Sequence, residues 1–302
     1  MEIDLSSMTT ETINVNTANL DTMSSLEIVT AMNIEDRNVP IAIEPLLPTI
    51  ASVVDQCVQS LNTGGRIIYM GAGTSGRLGV LDAAECPPTF GVPASMVVGL
   101  IAGGEKAFIK AIEGAEDSYE LGESDLKEIG LNKSDIVIGI AASGRTPYVI
   151  GGLQYANSIG CNTASISCNN DSEIGKIAKT KIEIIVGPEV LTGSTRLKSG
   201  TAQKLVLNMI STASMVGIGK CYKNLMVDVV QTNQKLCTRA QNIIMMVTGL
   251  SRNQAKELLE KSDGHVKTAI VMALTSSTKE RATELLDKAK GHVHLALNDC
   301  VG

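Results

Sequence analysis

The hydrophobic positions along this chain change their period partway through. Between residues 41 and 61 they recur at the three- and four-residue spacing of a helix with one buried face. Ser24 or Ser25 precedes an earlier apolar stretch as an N-cap, which predicts a shorter helix running through Met32. Residues 1–24 are polar and carry few apolar anchors, so they are predicted to form an extended arm.

Five short apolar runs follow, and each has the length of a strand. They are Arg66–Met70, Ser95–Ile101, Asp135–Ala141, Thr163–Ser167 and Ile182–Val186. Helical patterns occur among them and after them, at Glu116–Ile129, Thr146–Ile159 and Lys198–Ile218. Strands that alternate with helices and are apolar along their whole length are typical of a parallel sheet covered on both faces. The pattern predicts a doubly wound, mainly parallel α/β fold.

The pattern becomes helical after Cys221, and no further strand is predicted there. The segment Ala255–Val266 recurs as Ala282–Val293, which is an internal repeat. Each copy is predicted to be a helix closed by a glycine, followed by a second helix that begins near a histidine. The predicted divisions are an N-terminal arm and helix (1–44), an α/β domain (45–220) and a small C-terminal helical domain (221–302).

Composition narrows the class of protein. The chain has 302 residues and a formal net charge of −6, without the basic patch and stacking aromatics that favour nucleic acid. Its core must be aliphatic, because it has no Trp, two Phe and five Tyr. Seven scattered cysteines without a C-x-x-C pair indicate reduced thiols and no zinc site. With no signal-like N-terminus and no apolar window of membrane length, we expect a cytoplasmic protein without nucleic-acid or membrane partners.

A glycine- and hydroxyl-rich loop, Gly71–Arg77, lies between the first predicted strand and a helical stretch. Its sequence matches G-x-G-x-x-G, which is compatible with a dinucleotide. The next strand ends without an acid for a ribose hydroxyl, however, and the loop carries two hydroxyls that suit one terminal phosphate. Backbone amides at a helix N-terminus and hydroxyl donors together make an anion site. We therefore predict phosphate binding by Gly73, Thr74, Ser75 and Gly76.

Two further loops of the same kind follow later predicted strands. One contains Ser143, Gly144, Arg145 and Thr146, and the other contains Ser194, Thr195 and Lys198. Ligands of doubly wound sheets bind at the carboxyl ends of the strands. Three such loops therefore fit one shared ligand better than three unrelated turns. All are predicted to contact a small phosphorylated metabolite.

Two carboxylates are candidates for proton transfer. Glu85 precedes Pro87 and Pro88, which are expected to stop its helix and leave it at a rigid end. Glu116 is expected in the first turn of a helix, where the helix dipole favours the ionised form that a base needs. Each alone also fits a surface acid or a cap, whereas a pair near a phosphate can divide acid and base work. All three histidines lie in the C-terminal repeat, so the α/β domain has no Ser-His-Asp triad or metal cage.

Five motifs, taken in order, are more specific than any one loop. They are G-A-G-T-S-G-R-L-G from Gly71, D-A-A-E-C-P-P-T-F-G from Asp82, E-G-A-E-D-S from Glu113, A-S-G-R-T-P-Y-V from Ala142 and L-T-G-S-T-R-L-K-S-G-T-A-Q-K from Leu191. Together they resemble the N-acetylmuramic acid 6-phosphate etherase family, and the likeness covers nearly the whole chain. The resemblance implies a sugar isomerase (SIS) type phosphosugar-binding fold, a homodimer, and Glu85 and Glu116 as the active-site residues.

The resemblance also implies a reaction. Members of the family cleave the D-lactyl ether of N-acetylmuramic acid 6-phosphate, giving N-acetylglucosamine 6-phosphate and D-lactate in peptidoglycan recycling, without a cofactor. An opened sugar has an acidic C2 proton, so lactate can leave from C3 by elimination before water adds back. Glu85 would protonate the departing ether oxygen and later activate the water, and Glu116 would be the base at C2.

Two other functions use similar loops. A sugar-phosphate isomerase needs further acid and base groups for ring opening, and the α/β domain offers no histidine. A phosphosugar-sensing regulator needs no paired acids, and the polar, acidic first 50 residues do not suit a DNA-binding helix-turn-helix. The glucokinase regulatory protein also resembles this family, but it is far longer. Product analysis for lactate distinguishes the isomerase from the etherase.

Overall fold

The chain forms two compact units. A computed structural model describes residues 8–110, 112–229 and 234–298. The chain divides into a first unit, Met1–Ala84 with Ala94–Ser211, and a second unit, Glu85–Pro93 with Thr212–Gly302.

The first unit is built on a five-stranded parallel sheet with the order β2-β1-β3-β4-β5. The strands are β1 (Ile67–Gly71), β2 (Val97–Ile101), β3 (Ile136–Ile140), β4 (Asn162–Ser167) and β5 (Thr180–Glu183). β1 and β3 are buried at every position, as expected for strands covered on both faces. The predicted parallel α/β fold is confirmed.

The last strand occupies only part of its apolar run. β5 pairs with β4 as far as Glu183, whereas the sequence predicts Ile182–Val186. Ile184 N–H still donates to the Ser167 carbonyl, and the Val186 side chain stays buried. The chain then leaves the ladder. The apolar residues 182–186 therefore indicate which positions are buried, and not which positions pair in the sheet.

Helices accompany the strands of this unit, and the last residues of α4 and α9 belong to the second unit. They are α1 (Ser25–Asp36), α2 (Asn38–Ile43), α3 (Leu47–Asn62), α4 (Gly73–Phe90), α5 (Glu105–Ile109), α6 (Tyr119–Glu128), α7 (Pro147–Ser158), α8 (Glu173–Ile177) and α9 (Lys198–Gly217). Ser24 is the N-cap of α1 and forms a capping box with Glu27, as the sequence predicts. The helix continues past its predicted end at Met32. Both α3 and α7 pack against β1 and β3 of the sheet.

Helix α4 runs through Pro87 and Pro88, although the sequence predicts that these prolines end it. A proline keeps a helical φ but has no N–H, so each one removes a single bond to a carbonyl four residues earlier. The last turn is held by Gly91 N–H, which donates to the Pro87 carbonyl at 2.9 Å. Glu85 therefore lies inside α4 and not at its end.

Helices α6 and α7 pack backbone against backbone, because a glycine on each helix has no side chain to hold them apart. A Cβ on Gly122 would lie 2.0 Å from the carbonyl oxygen of Tyr148, and one on Gly151 would lie 2.1 Å from that of Tyr119. A close-packed interior has no space for either atom. This contact fixes α7, which begins directly after one of the predicted phosphate loops.

We expect Gly122→Ala to lower the free energy of unfolding by about 1–3 kcal/mol, because the added methyl must push the two helices apart. Gly200→Ala is the matched control: Gly200 also lies in a helix, but a Cβ there meets its nearest neighbour at an ordinary 3.5 Å. Urea unfolding of both variants measures the difference. Equal stability of Gly122→Ala and the parent would contradict the close approach.

The second unit is mainly helical. Its helices are α10 (Gln234–Thr248), α11 (Arg252–Lys261), α12 (Val266–Thr275), α13 (Lys279–Lys288) and α14 (Val293–Asn298). An antiparallel hairpin of β6 (Cys221–Tyr222) and β7 (Leu225–Met226) precedes them. The prediction of no strand after Cys221 is therefore wrong. Strands of two residues are too short for a hydrophobic pattern to reveal.

The internal repeat forms two helix pairs, α11–α12 and α13–α14. Gly264 (φ +80°) and Gly291 (φ +81°) follow the first helix of each pair, in the left-handed region that glycine adopts freely. His265 is the N-cap residue of α12. The predicted helix–glycine–helix arrangement of each copy is confirmed.

One helical stretch, Ser25–Asn62, is long and apolar enough to cross a membrane, contrary to the sequence-based expectation. Core helices of soluble proteins and signal sequences share this length and composition. Within this stretch, α3 buries Ile50 and Val53, while α1 exposes Leu26 and Val29. The stretch therefore combines core packing with an exposed apolar surface.

Candidate functional site

The predicted loop Gly71–Arg77 is mostly the first turn of α4, and the turn from β1 into this helix is tight at two glycines, Gly71 at the end of the strand and Gly76 in the helix. A Cβ on Gly71 would lie 2.8 Å from the Ile140 carbonyl oxygen, and one on Gly76 would lie 2.6 Å from the Gly71 carbonyl oxygen. Gly73 has φ +53°, and nothing lies within 4 Å of where its Cβ would be. The first backbone N–H groups of a helix have no partner within it. The start of α4 therefore offers amide donors beside open space.

A cavity of about 200 Å³ opens beside this loop. Its lining includes Gly73, Arg77, Glu113, Gly114, Glu116 and Asp117. The structure thus brings one predicted phosphate loop together with one predicted catalytic acid. Glu116 is exposed and lies in a 3₁₀ turn, Ala115–Asp117, just before α6, and not in the first turn of that helix as predicted.

Arg77 forms part of the cavity wall and is fixed by the backbone of α5. Its Nε donates to the carbonyl oxygen of Phe108 at 2.7 Å, and its Nη2 donates to that of Ala107 at 2.8 Å. Both acceptors are neutral, so these bonds orient the guanidinium without cancelling its charge. This positive charge offsets part of the negative charge of Glu113, Glu116 and Asp117, which line the same cavity.

Thr74 and Ser75 pack towards α9. Ser75 is buried, and its Oγ donates to Oε1 of Gln203 at 2.9 Å. Thr74 is half-buried, and its methyl group lies 3.5 Å from where a Cβ on Gly200 would be. Gln203 lies within the fifth motif, but the sequence assigns it no role, because its partner Ser75 lies 128 residues earlier in the chain.

The loop after β3 is held by its glycine and by an asparagine from the next strand end. Gly144 has φ +73°, and a Cβ there would lie 2.4 Å from Cβ of Ser172. Asn169 Nδ2 donates to the carbonyl oxygens of Ala142 and Ser143, at 3.2 and 3.3 Å. Asn169 is a further residue that the sequence analysis misses. The polar residues that follow β4 are the feature of the sequence that could have indicated it.

A second cavity, of about 420 Å³, lies at this loop, and Ser143 and Arg145 contribute to its lining. Ser143 Oγ accepts from the backbone N–H of Arg145 at 3.3 Å, which orders the turn. Thr146 is the N-cap residue of α7, and its side chain makes no capping bond. The hydroxyl of Thr146 is thus not committed to its own helix.

The N-terminal segment is a series of 3₁₀ turns bound to the strand ends, and not the extended arm that the sequence predicts. The turns are Thr9–Glu11, Val15–Thr17 and Leu20–Thr22. Thr10 N–H donates to Asn169 Oδ1 at 3.3 Å, Asn14 Nδ2 donates to the Pro188 carbonyl at 3.2 Å, and Thr17 Oγ1 donates to the Val190 carbonyl at 2.9 Å. Polar side chains supply these anchors, so a search for apolar anchors does not find them.

The charged side chains in and near the third loop pair with other groups of the protein. Glu189 is fully buried and accepts from the backbone N–H groups of Lys198 and Ser199, both at 2.9 Å, so it caps α9. Lys198 is 1% exposed, and its Nζ pairs with Glu35 at 2.6 Å. A carboxylate of the protein thus occupies the start of α9. The sequence reveals neither acid: Glu35 lies 163 residues from Lys198, and Glu189 lies nine residues before it without a motif that marks a cap.

Ser194 and Thr195 lie half-buried in this loop, ahead of α9. The N–H of Ser194 donates to the Leu191 carbonyl at 3.0 Å and that of Thr195 to the Gly193 carbonyl at 3.1 Å. These bonds close the loop on itself. Binding of a ligand by Ser194, Thr195 and Lys198 remains a prediction.

The pair of Lys198 and Glu35 makes stability depend on pH. Burial raises the pKa of the Glu35 carboxyl, but hydrogen bonds from Lys198 and Asn16 outweigh it and hold the pKa below its usual value. Such a carboxyl stabilises the fold above that usual value, and the contribution is lost as the pH falls through the lowered pKa. We expect Glu35→Gln to cost about 3 kcal/mol at neutral pH, because it leaves Lys198 buried and unpaired. In urea unfolding at acidic pH the cost should vanish; an equal loss at both pH values would exclude the ionised pair as its cause.

Glu85 is exposed on α4 and belongs to the second compact unit, whereas Glu116 and the three loops belong to the first. Its neighbour Cys86 is 2% exposed, which agrees with a packing role for that thiol. Among the described residues, no group of three or more His, Cys, Asp or Glu side chains could hold a metal ion. The cooperation of Glu85 with Glu116 remains a prediction.

Known proteins match this chain in two ways. Residues 49–157 match the glucokinase regulatory protein N-terminal SIS domain, and residues 119–213 match the SIS domain. An N-acetylmuramic acid 6-phosphate etherase of Bacillus cereus (strain AH187) is 62% identical over 266 residues, which cover 88% of this chain and 90% of the relative. The protein of the same name from Bacillus anthracis has the same identity and coverage.

Solved structures are more distant. A phosphoheptose isomerase from Neisseria gonorrhoeae has a TM-score of 0.49 at 18% sequence identity, and the match covers 63% of this chain and 98% of that one. The SIS domain match agrees with the predicted SIS-type fold. The 62% identity runs over most of the chain, well beyond the SIS match alone. On these grounds the chain belongs to the N-acetylmuramic acid 6-phosphate etherase family.

Proposed function

We propose that this protein is a carbon–oxygen lyase that converts N-acetylmuramic acid 6-phosphate and water to N-acetylglucosamine 6-phosphate and D-lactate, in peptidoglycan recycling. The observation that carries the proposal is the 62% identity to relatives named for this activity, over 88% of the chain. The cavity that joins the first loop to Glu116 supports it.

The phosphate of the sugar binds at the loops of the catalytic domain, residues 45–220. The start of α4 supplies amide and hydroxyl donors, which suit a phosphate. Arg145, which lines the second cavity at the loop after β3, adds a positive charge that attracts the phosphate. This binding energy is remote from the ether bond, and it fixes the sugar for the proton transfers.

Cleavage begins once the sugar has opened to its aldehyde, which makes the C2 proton acidic. Glu116 takes this proton, and its electron pair forms the C2–C3 double bond as the C3–O bond to the lactyl group breaks. Glu85, as the acid, gives its proton to the departing oxygen. Lactate therefore leaves with the ether oxygen.

Water then adds to the unsaturated aldehyde. Glu85, now a carboxylate, takes a proton from the water as the water oxygen bonds to C3. Glu116 returns its proton to C2. Both acids regain their starting states, so the cycle consumes one water and requires no redox step.

Incubation with N-acetylmuramic acid 6-phosphate in oxygen-18 water tests this proposal. We expect unlabelled D-lactate and one labelled oxygen at C3 of the sugar, because the elimination breaks the C3–O bond. Label in lactate would contradict elimination. A ketose or aldose phosphate without any lactate would instead indicate a sugar-phosphate isomerase.

The protein acts as a homodimer in the cytoplasm under this proposal. Large apolar side chains on α1 are exposed in the single chain: Leu26 by 73%, Val29 by 57% and Ile34 by 54%. Exposed apolar side chains that lie close together mark interaction surfaces in soluble proteins. A phosphorylated sugar does not cross a membrane unaided, so its enzyme must share its compartment. Light scattering should give twice the mass of one chain, and a mass of one chain would contradict the dimer.

A further inference from the structure

The hydroxyl of Ser75 points the wrong way for a phosphate ligand. Its single proton is donated to Gln203 Oε1, so the oxygen has only lone pairs left to offer. A phosphate oxygen needs a donor. As the side chains stand, Ser75 therefore cannot donate to the group that it is proposed to bind.

Gln203 has a complementary defect. The residue is fully buried, and its Nε2 is the one buried side-chain nitrogen within the described residues that has no hydrogen-bond partner. An unsatisfied buried donor costs about 1–3 kcal/mol. An orphaned acceptor is tolerated better, because a carbonyl oxygen has two lone pairs.

The opposite orientation of the Gln203 amide satisfies the donor and leaves Oε1 as an orphaned acceptor, which costs less. Nε2 then donates to Ser75 Oγ, and the Ser75 proton is free to point away from α9. Ser75 is 7% exposed whereas Gln203 is not exposed at all, so only the serine can meet a ligand. The two amide orientations occupy the same volume, so the second one is favoured with and without a ligand.

We propose that Gln203 is a positioning residue for the phosphoryl group: its Nε2 donates to Ser75 Oγ and holds the Ser75 hydroxyl outwards as a donor. This inference rests on the proposed function, since it takes the start of α4 as the phosphate site. Gln203 acts only through Ser75. Its effect must therefore disappear when Ser75 is absent.

The test is a double-mutant cycle with Gln203→Glu and Ser75→Ala, read by calorimetric binding of inorganic phosphate to the whole chain. An ionised carboxylate can only accept, so it locks the Ser75 proton inwards. We expect Gln203→Glu to weaken phosphate binding about tenfold more in the parent than in the Ser75→Ala background, the scale of one hydrogen bond to a charged group. Equal factors in both backgrounds would overturn the proposal, because they would show a charge effect that bypasses Ser75.

Gln203→Met covers the case in which a buried carboxylate prevents folding. This neutral variant is expected to weaken phosphate binding by a smaller factor, and Ser75→Ala should abolish that factor too. With substrate, both Gln203 variants should raise KM and leave kcat nearly unchanged, because the phosphate is remote from the reacting carbons. A fall in kcat at constant KM would overturn the positioning role.

Failure of this inference and failure of the proposed function give different results. If the parent binds phosphate and releases lactate but the cycle shows no coupling, only the role of Gln203 is wrong. If the parent binds no phosphate, the assignment of the site at α4 is wrong and the inference falls with it. Absence of lactate alone would overturn the reaction and leave the coupling of Gln203 and Ser75 to be judged by phosphate binding.

Discussion

Glu85→Gln should lower the rate of lactate release by about 10²- to 10⁴-fold, because an amide cannot protonate the departing ether oxygen. The same variant should still exchange the C2 proton of the substrate with deuterated water, since the base at C2 is intact. A lactate assay and mass spectrometry of the sugar follow the two steps separately. The replacement keeps the size of the side chain and exchanges the ionisable carboxyl group for a neutral amide.

Glu105→Gln is the control for this variant. Glu105 is exposed, like Glu85, but lies in the first turn of α5 and takes no part in the proposed chemistry. Its lactate release should equal that of the parent. Normal lactate release by Glu85→Gln would remove Glu85 from the role of the acid.

Glu116→Gln should slow both steps, each by about 10²- to 10⁴-fold, because loss of the C2 proton precedes departure of lactate. The contrast with Glu85→Gln is therefore in the exchange of deuterium. If only lactate release falls and exchange persists, Glu116 is not the base. The cavity that Glu116 shares with Gly73 is the structural reason to expect the large effect.

Glu113→Gln is a close control, since Glu113 is exposed and lines the same cavity. It removes the same charge three positions earlier along the chain. Near-normal exchange in this variant, with strong loss in Glu116→Gln, would separate a specific base from a general effect of charge. Equal losses in the two variants would point to the charge of the whole segment.

The sheet is predictable because burial on both faces leaves a direct trace in the sequence. β1 and β3 are short, fully apolar and each followed by small residues, and these traits mark a parallel strand and its phosphate loop. Gly71 approaches Ile140 so closely that no side chain fits, which explains why this position is a glycine. Local steric requirements of this kind can be inferred from a single sequence.

Long-range polar pairing leaves no such trace. Lys198 was predicted to bind the ligand, yet its ammonium pairs with Glu35, which lies 163 residues earlier. The composition of the third loop suggests that the start of α9 binds a phosphate, but the Glu189 carboxylate occupies that position. The same limit explains the N-terminal segment, which is anchored by Asn14 and Thr17. Only the folded chain shows which polar groups are already engaged.

Because α4 is continuous, it determines whether two inactive variants can complement each other. Gly73 begins this helix, and Glu85 lies inside it but belongs to the other compact unit. If the proposed dimer brings the Glu85 of one copy to the Gly73 of the other, each site needs residues of both copies. Two inactive variants, Glu85→Gln and Glu116→Gln, should accordingly complement each other. When mixed and reassociated they should recover about a quarter of the parent rate, from hybrid dimers with one intact site; no recovery would mean that each chain completes its own site.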